Sequence, residues 1–223
     1  MPRLKNHLLL RTREANENHR GQFSTQDHLN MRIVKSQLYQ HTRFQVNYTT
    51  YDVRRERDVI NLRTHTNIML MADVACTDRD HEAAPSHLYQ YARVLGIFHM
   101  YMQHRATTES SAWSDKERVD VLWVRWFQVD SERPMSWSNA RMPSLHFVTD
   151  SGDLDTYGFV DPNSVIHGAH IIPTFASGDV GTDFLDDTGV GVNSSRCSLA
   201  HSHRENEDIG HTRMDYERYY VNM

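Results

Sequence analysis

The sequence predicts a mainly β (α+β) protein: an antiparallel bent barrel with a short N-terminal helical extension and a disordered acidic loop. Three observations lead there. The run Val121-Leu122-Trp123-Val124-Arg125-Trp126-Phe127 is built from β-branched and aromatic residues and holds no Gly, Pro, Asn or Asp. Val121, Trp123, Arg125 and Phe127 would point one way and Leu122, Val124 and Trp126 the other, so both faces are largely apolar and both should be covered. Further segments rich in aromatic or β-branched residues lie at 39–51, 67–71 and 89–102, against one amphipathic helix pattern. These segments should form one antiparallel barrel-like sheet with 121–128 at its centre.

The elements follow in chain order. Residues 1–38 read as a basic extension: a short helix, then an Arg/Asn/Glu-rich linker ending at Gly21. A second helix opens at the capping box Ser24-Thr25-Gln26-Asp27 and closes near Gln37. Residues 39–175 read as the barrel domain. Phe44, Val46 and Tyr48 alternate with Arg43, Gln45 and Asn47 in its first strand, and 52–63 is a charged connection. The long strand at 89–102 should pair with 121–127, and Gly96 marks a bulge or a sharp bend. Short strands are expected at 145–148 and 164–172, with polar loops at 73–88, 103–118 and 130–143. Residues 176–214 mix Gly, Ser, Asp and His without periodicity and read as a disordered acidic, His-rich loop; 215–223 supplies a terminal strand.

Composition narrows the function. A chain of 223 residues can bury a single sizeable core, while a mean hydropathy of −0.67 is polar for a fully compact domain. No apolar run approaches the roughly 20 residues of a membrane helix, and Leu8-Leu9-Leu10 is too short for a signal-peptide core. Cys76 and Cys197 are too few for a disulfide scaffold, which fits a reducing compartment. The net charge of −5 conceals an asymmetry: residues 1–63 hold 12 Lys+Arg against 6 Asp+Glu, and the remainder holds 12 against 23. A basic front and an acidic back suit different partners.

Candidate chemistry is sparse. Cys197, His201, His203 and His211 lie close in sequence but lack the second Cys of a structural zinc spacing, so no metal site is expected. The glycines at 178, 181, 189 and 191 follow no strand, precede no helix and lack the Lys-Ser/Thr pair of a phosphate loop. Asp52, Glu56 and Asp58 alternate with Arg54, Arg55 and Arg57, a pattern that suits an ion-pair network better than acid–base catalysis. No catalytic residue, cofactor or small-molecule substrate is expected. Two groups remain as candidate sites. Tyr89, Tyr91, Trp123, Trp126 and Phe127 fall on two strands expected to pair, where aromatic rings can stack bases, hold a methylammonium group or simply fill a core. Arg54, Arg55 and Arg57 are candidate phosphate contacts.

An ordered series of blocks then carries a resemblance. It runs through Asn47-Tyr48-Thr49-Thr50-Tyr51-Asp52-Val53-Arg54-Arg55, Asn61-Leu62-Arg63-Thr64-His65 and Tyr91-Ala92-Arg93-Val94-Leu95-Gly96-Ile97-Phe98-His99. It continues through Leu122-Trp123-Val124-Arg125-Trp126-Phe127, Gly158-Phe159-Val160-Asp161-Pro162, Val165-Ile166-His167-Gly168-Ala169-His170-Ile171-Ile172-Pro173 and Tyr219-Tyr220-Val221-Asn222-Met223. The series, with Pro2-Arg3-Leu4-Lys5-Asn6-His7-Leu8-Leu9 at its head, resembles the C-terminal region of fungal Plavaka-type proteins, relatives of CACTA DNA transposons. That family's RNase H-like catalytic core is not in this sequence, so the resemblance implies no transposase activity. The family usually continues past the Tyr-Val-Asn-Met block, so the chain reads as a fragment or a decayed copy. The order of 91–98, 122–127 and 165–172 is also similar to the strands of bromo-adjacent homology (BAH) domains, which implies a BAH-like or SH3-like bent barrel.

Two functions are expected from this. One is a non-enzymatic chromatin- or DNA-associated interaction module, transposon-derived and nuclear, binding DNA or chromatin proteins through its basic N-terminal part and using no membrane. The other is a vestigial fragment without a selected activity, for which a cytoplasmic location serves as well.

Overall fold

The computed structural model describes residues 2–14, 23–72, 88–105, 112–130, 142–148, 156–177 and 215–222. In chain order the elements are helices α1 (Pro2–Glu14) and α2 (Thr25–Leu29), then strands β1 (Met31–Ile33), β2 (Tyr39–His41), β3 (Arg43–Thr49), β4 (Arg55–Asn61) and β5 (Asn67–Met71). Next come β6 (Tyr89–His104), β7 (Glu117–Val129), β8 (Ser144–Phe147), β9 (Tyr157–Val160), β10 (Val165–Gly168), β11 (His170–Pro173) and β12 (Tyr219–Asn222). The fold is mainly β, as its residues predict. No described helix is long and apolar enough to cross a membrane. The loops expected at 73–88, 130–143 and 176–214 fall largely outside the described residues, whereas the one expected at 103–118 is shorter than read, because β6 runs on to His104 and β7 starts at Glu117.

The long antiparallel pair β6–β7 is the axis of the molecule. Its register runs from Tyr91 opposite Phe127 to Met102 opposite Glu117, and slips between Val94 and Gly96, the bulge expected at that glycine. A Cβ on Gly96 would collide with the Phe98 ring, so the bend needs Gly there. The strand order is β10-β5-β6-β7-β8-β12-β11, with β1 and β2 added on β6 and β9 on β7; 121–128 is therefore central. All these pairings are antiparallel.

The ladders do not make the expected ring, because β10 and β11 hold the two ends of the order and do not pair with each other. They are nevertheless consecutive, separated by Ala169 alone. Ala169 donates its N–H to the carbonyl of Asn67 at the start of β5, and Thr174 donates to that of Arg218 just before β12, both at 2.9 Å. One kinked segment thus bonds first one end of the sheet and then the other.

Three expectations change here. The strand at 39–51 is broken at Thr42: β2 joins the main sheet, while β3 leaves it and pairs with β4 in a separate two-stranded sheet. The charged connection at 52–63 is largely that second strand, β4. The helix expected from Ser24 to Gln37 ends at Leu29, although its capping box forms as read, with Ser24 Oγ accepting from the Asp27 N–H. Met31 is then taken by β1, where it is buried opposite His104. Burial of a strand residue against the sheet outweighs the few tenths of a kcal/mol by which helix propensities differ.

Both faces of β7 are covered. Leu122 and Val124 pack with Ile60, Ile68, Ala92, Val94, Ile97, Val160 and Val165, and Trp126 leans on that cluster. On the other face Val119 and Val121 meet Leu4, Leu8 and Leu9 of α1, together with Met100 and Met102. Complete burial of a leucine such as Leu8 contributes about 1.5–3 kcal/mol, so the N-terminal helix is docked on the sheet. Phe127 belongs to a third cluster with Tyr91, Leu145, Phe147, Tyr219 and Val221.

Candidate nucleic-acid interface

The β3–β4 ribbon sorts its residues by the alternation of a strand. Phe44 lies opposite Ile60 and Val46 opposite Asp58, and Phe44, Val46 and Ile60 turn inward to the core cluster beneath β5. Asp58 accepts the Gly168 N–H at 2.8 Å, which fixes the ribbon to β10. A Cβ on Gly168 would lie 3.1 Å from Ile60 Cδ1, so the two sheets approach here as only glycine permits without a shift.

The opposite face looks outward. Arg43, Gln45, Asn47 and Thr49 of β3 are exposed, beside exposed Arg55, Arg57 and Val59 of β4. Arg57 lies across from Asn47 and donates to Gln45 Oε1 at 3.4 Å. Among the described residues Arg43, Arg55 and Arg57 have no carboxylate partner. The expected ion-pair network therefore reduces to one pair, Arg54 Nε to Asp52 at 2.8 Å, both solvated. Such a pair contributes roughly 0–1 kcal/mol, so Arg54 remains available to a stronger anion. The remaining carboxylates are engaged inward or along the strand: Asp58 with Gly168, and Glu56 as acceptor of the Tyr48 hydroxyl at 3.1 Å.

At the ribbon's end the chain turns through Tyr51, Asp52 and Val53. Thr50 donates its N–H to the Arg54 carbonyl at 2.8 Å and its hydroxyl to Asp52 at 2.5 Å, and Val53 donates back to Thr50 at 2.9 Å. Tyr51 is fully exposed and Val53 is 82% exposed, with a backbone φ of 63°. A β-branched residue in the left-handed region is strained, and here no burial offsets the strain. The ribbon is about 22 Å long at the usual rise, the size of element that a DNA major groove admits.

The five aromatic candidates do not meet in one pocket. Tyr91 and Phe127 are buried in the third cluster with Tyr89 against it, and Trp126 packs on the opposite face of β7. The Trp126 ring covers Gly158, where a Cβ would stand 2.5 Å from its Nε1. Trp123 reaches a cleft. It lies 6.0 Å from Tyr157, and with Phe98 and Phe159 it lines a cavity of about 700 Å³ under the start of α1. Strand parity alone could separate Trp126 from Trp123 and Phe127, but Phe98 stands further along β6, Tyr157 and Phe159 come from β9, and none of the three gave a local signal.

The basic front is partly consumed by the fold. Arg11 pairs with Asp161 at 2.8 Å and donates to the Asp120 carbonyl, Arg32 stacks over Trp113 at 4.1 Å, and Lys5 donates to the His28 carbonyl. Arg54, Arg55 and Arg57 are brought onto one ribbon, joined by Arg43, which the sequence reading placed in the strand but not in the site. No protein-family model matches this chain, and no curated protein or solved structure matches it either.

Proposed function

We propose that this protein is a non-enzymatic, DNA-associated interaction module of the nucleus, derived from a transposon-encoded protein, and that the β3–β4 ribbon is its contact with duplex DNA. The observation that carries the reading is the outward face of the ribbon, where Arg43, Arg55 and Arg57 stand exposed without carboxylate partners among the described residues, next to Arg54. Guanidinium groups pair with phosphate oxygens in a fixed fork, and the polar Gln45, Asn47 and Thr49 between them can add neutral hydrogen bonds to backbone or base edges. Exposed Tyr51 and Val53 at the tip suit contact with a groove wall.

The bent-barrel architecture, BAH-like or SH3-like, belongs to the same proposal. The kinked segment of β10 and β11 supports it, since that segment bonds both ends of the strand order. In such a body the ribbon is a rigidly based arm.

Binding should be weak and indifferent to sequence, in the range of about 10⁻⁴–10⁻⁶ M at physiological salt. The test is a titration of duplex DNA with wild type and with Arg54→Glu/Arg55→Glu/Arg57→Glu, beside a methylated histone-peptide array. DNA binding that is lost on charge reversal supports the reading. Histone-peptide binding alone would move the contact to the Trp123 cleft, and no binding in either assay at low salt would leave a vestigial fragment.

A further inference from the structure

His41, His99 and Asp120 come from three adjacent strands and converge. His99 and Asp120 are direct cross-strand partners on β6 and β7, and His41 stands on β2, the strand that flanks β6 on its other side. His41 Nε2 lies 2.6 Å from His99 Nδ1, and one ligand atom from each of the three residues falls within 4.8 Å of the others. All three are half-buried. Tyr39 stacks on the His99 ring at 4.8 Å and Tyr101 meets it edge-on at 5.7 Å, which walls one side of the group. Arg118 pairs with one oxygen of Asp120 at 2.8 Å; a carboxylate can keep that pair and offer its second oxygen.

We propose that His41, His99 and Asp120 form a binding site for a divalent first-row transition ion of the zinc type. Two imidazoles and one carboxylate are the donor set such an ion prefers, whereas magnesium and calcium favour oxygen alone. A tetrahedral ion with bonds of about 2.0–2.1 Å sets its ligands about 3.3 Å apart. The two rings must therefore open slightly and the carboxylate close in, both by side-chain rotation. Two imidazole nitrogens facing each other share one proton between them. On binding, that proton moves to the far nitrogen of its own ring and both lone pairs turn to the ion. Three protein ligands leave a fourth position for water.

The ion would have a structural consequence. β2 is three residues long and, among the described strands, pairs with β6 alone, and one residue after it the ribbon begins. A metal bridging β2, β6 and β7 fastens the base of the ribbon to the two central strands. This site does not depend on the DNA reading.

The experiment is equilibrium dialysis of the full chain against Zn(II), with Co(II) visible absorption as a second readout, for wild type, His41→Gln and His99→Gln. Circular dichroism checks that each variant folds. Both positions are half-buried at the sheet surface, and two independent variants guard against one of them misfolding. The expected result is that wild type binds one more equivalent of Zn(II) than either variant, and that the variants lose the Co(II) ligand-field bands of a nitrogen/oxygen site. Binding elsewhere, for example at the histidines between 197 and 211, subtracts out of that difference. Equal stoichiometry and affinity in wild type and both variants would overturn the proposal, as would no Zn(II) binding by wild type.

Discussion

His7 carries a testable pH dependence. It sits on the α1 face turned to Phe159, its Nε2 is buried without a hydrogen-bond partner among the described residues, and its pKa is lowered from 6.5 to about 4. Burial is the main cause and the Arg11 guanidinium the second; Asp161 pulls weakly the other way. The unfolded chain therefore takes up a proton that the folded one refuses. His7 contributes stability that is fully present above pH 6.5 and is lost as the pH falls towards about 4. That loss amounts to roughly 3 kcal/mol, and His7→Leu should flatten this part of the curve when denaturant melts are run across the range. Trp126 makes a second residue-scale case. The sequence left its ring open between a pocket and the core, and it is half-buried over Gly158 against the β6–β7 cluster. Trp126→Ala should cost about 3 kcal/mol, the low end for an aromatic truncation, seen as a clear drop in Tm. An unchanged melt would contradict the packing described.

At the scale of elements, the ribbon is where sequence and structure part. β3 was legible because Phe44, Val46 and Tyr48 alternate with polar residues. β4 was not: Arg55-Glu56-Arg57-Asp58 has the charge of a solvated connection, and only Val59 and Ile60 are apolar. Its strand character comes from pairing with β3 and from Asp58 reaching Gly168, 110 residues away. β6 and β7 were legible over 89–102 and 121–127, which are apolar on both faces and free of breakers apart from the one glycine that makes the bulge. Their polar ends, 103–104 and 117–118, read as loop and are strand because 103–104 pair with β1 and 117–118 with β6. The metal triad lay beyond sequence spacing, since positions 41, 99 and 120 meet only once β2, β6 and β7 are aligned. The tip of the ribbon makes its own prediction. Val53→Gly removes the left-handed strain of an exposed β-branched residue and loses no burial. It should raise stability by about 0.5–1 kcal/mol in urea melts, after allowing for glycine's greater unfolded freedom.

The whole molecule is held together at its end by charge as well as packing. Asp215 precedes β12 and lies between two arginines of the central strands, Arg93 and Arg125, with Arg125 Nη1 at 3.0 Å. Arg125 is 3% exposed and its guanidinium lies 3.8 Å over the Phe147 ring, so the one charge in an otherwise apolar stretch of strand has a carboxylate and an aromatic face as its surroundings. The partner stands 90 residues away in sequence, which is why Arg125 alone could not reveal it. Asp215→Ala leaves two arginines facing each other with no carboxylate between them. It should destabilise by about 3–5 kcal/mol, measured by chemical denaturation. A loss below about 1 kcal/mol would mean that water replaces the carboxylate and that the clamp does not secure β12.

The claim on which the functional account rests is that the ribbon binds DNA phosphates, and the salt dependence of that binding tests it most directly. Neutralising three or four phosphates through Arg43, Arg54, Arg55 and Arg57 gives a slope of log K against log salt of about −2.7 to −3.6. Titration of a duplex at several salt concentrations should return that slope for wild type. With Arg54, Arg55 and Arg57 reversed to glutamate, binding should fall below detection, or the slope should approach zero. An unchanged slope and affinity in the reversed variant would contradict the account and take the contact away from the ribbon.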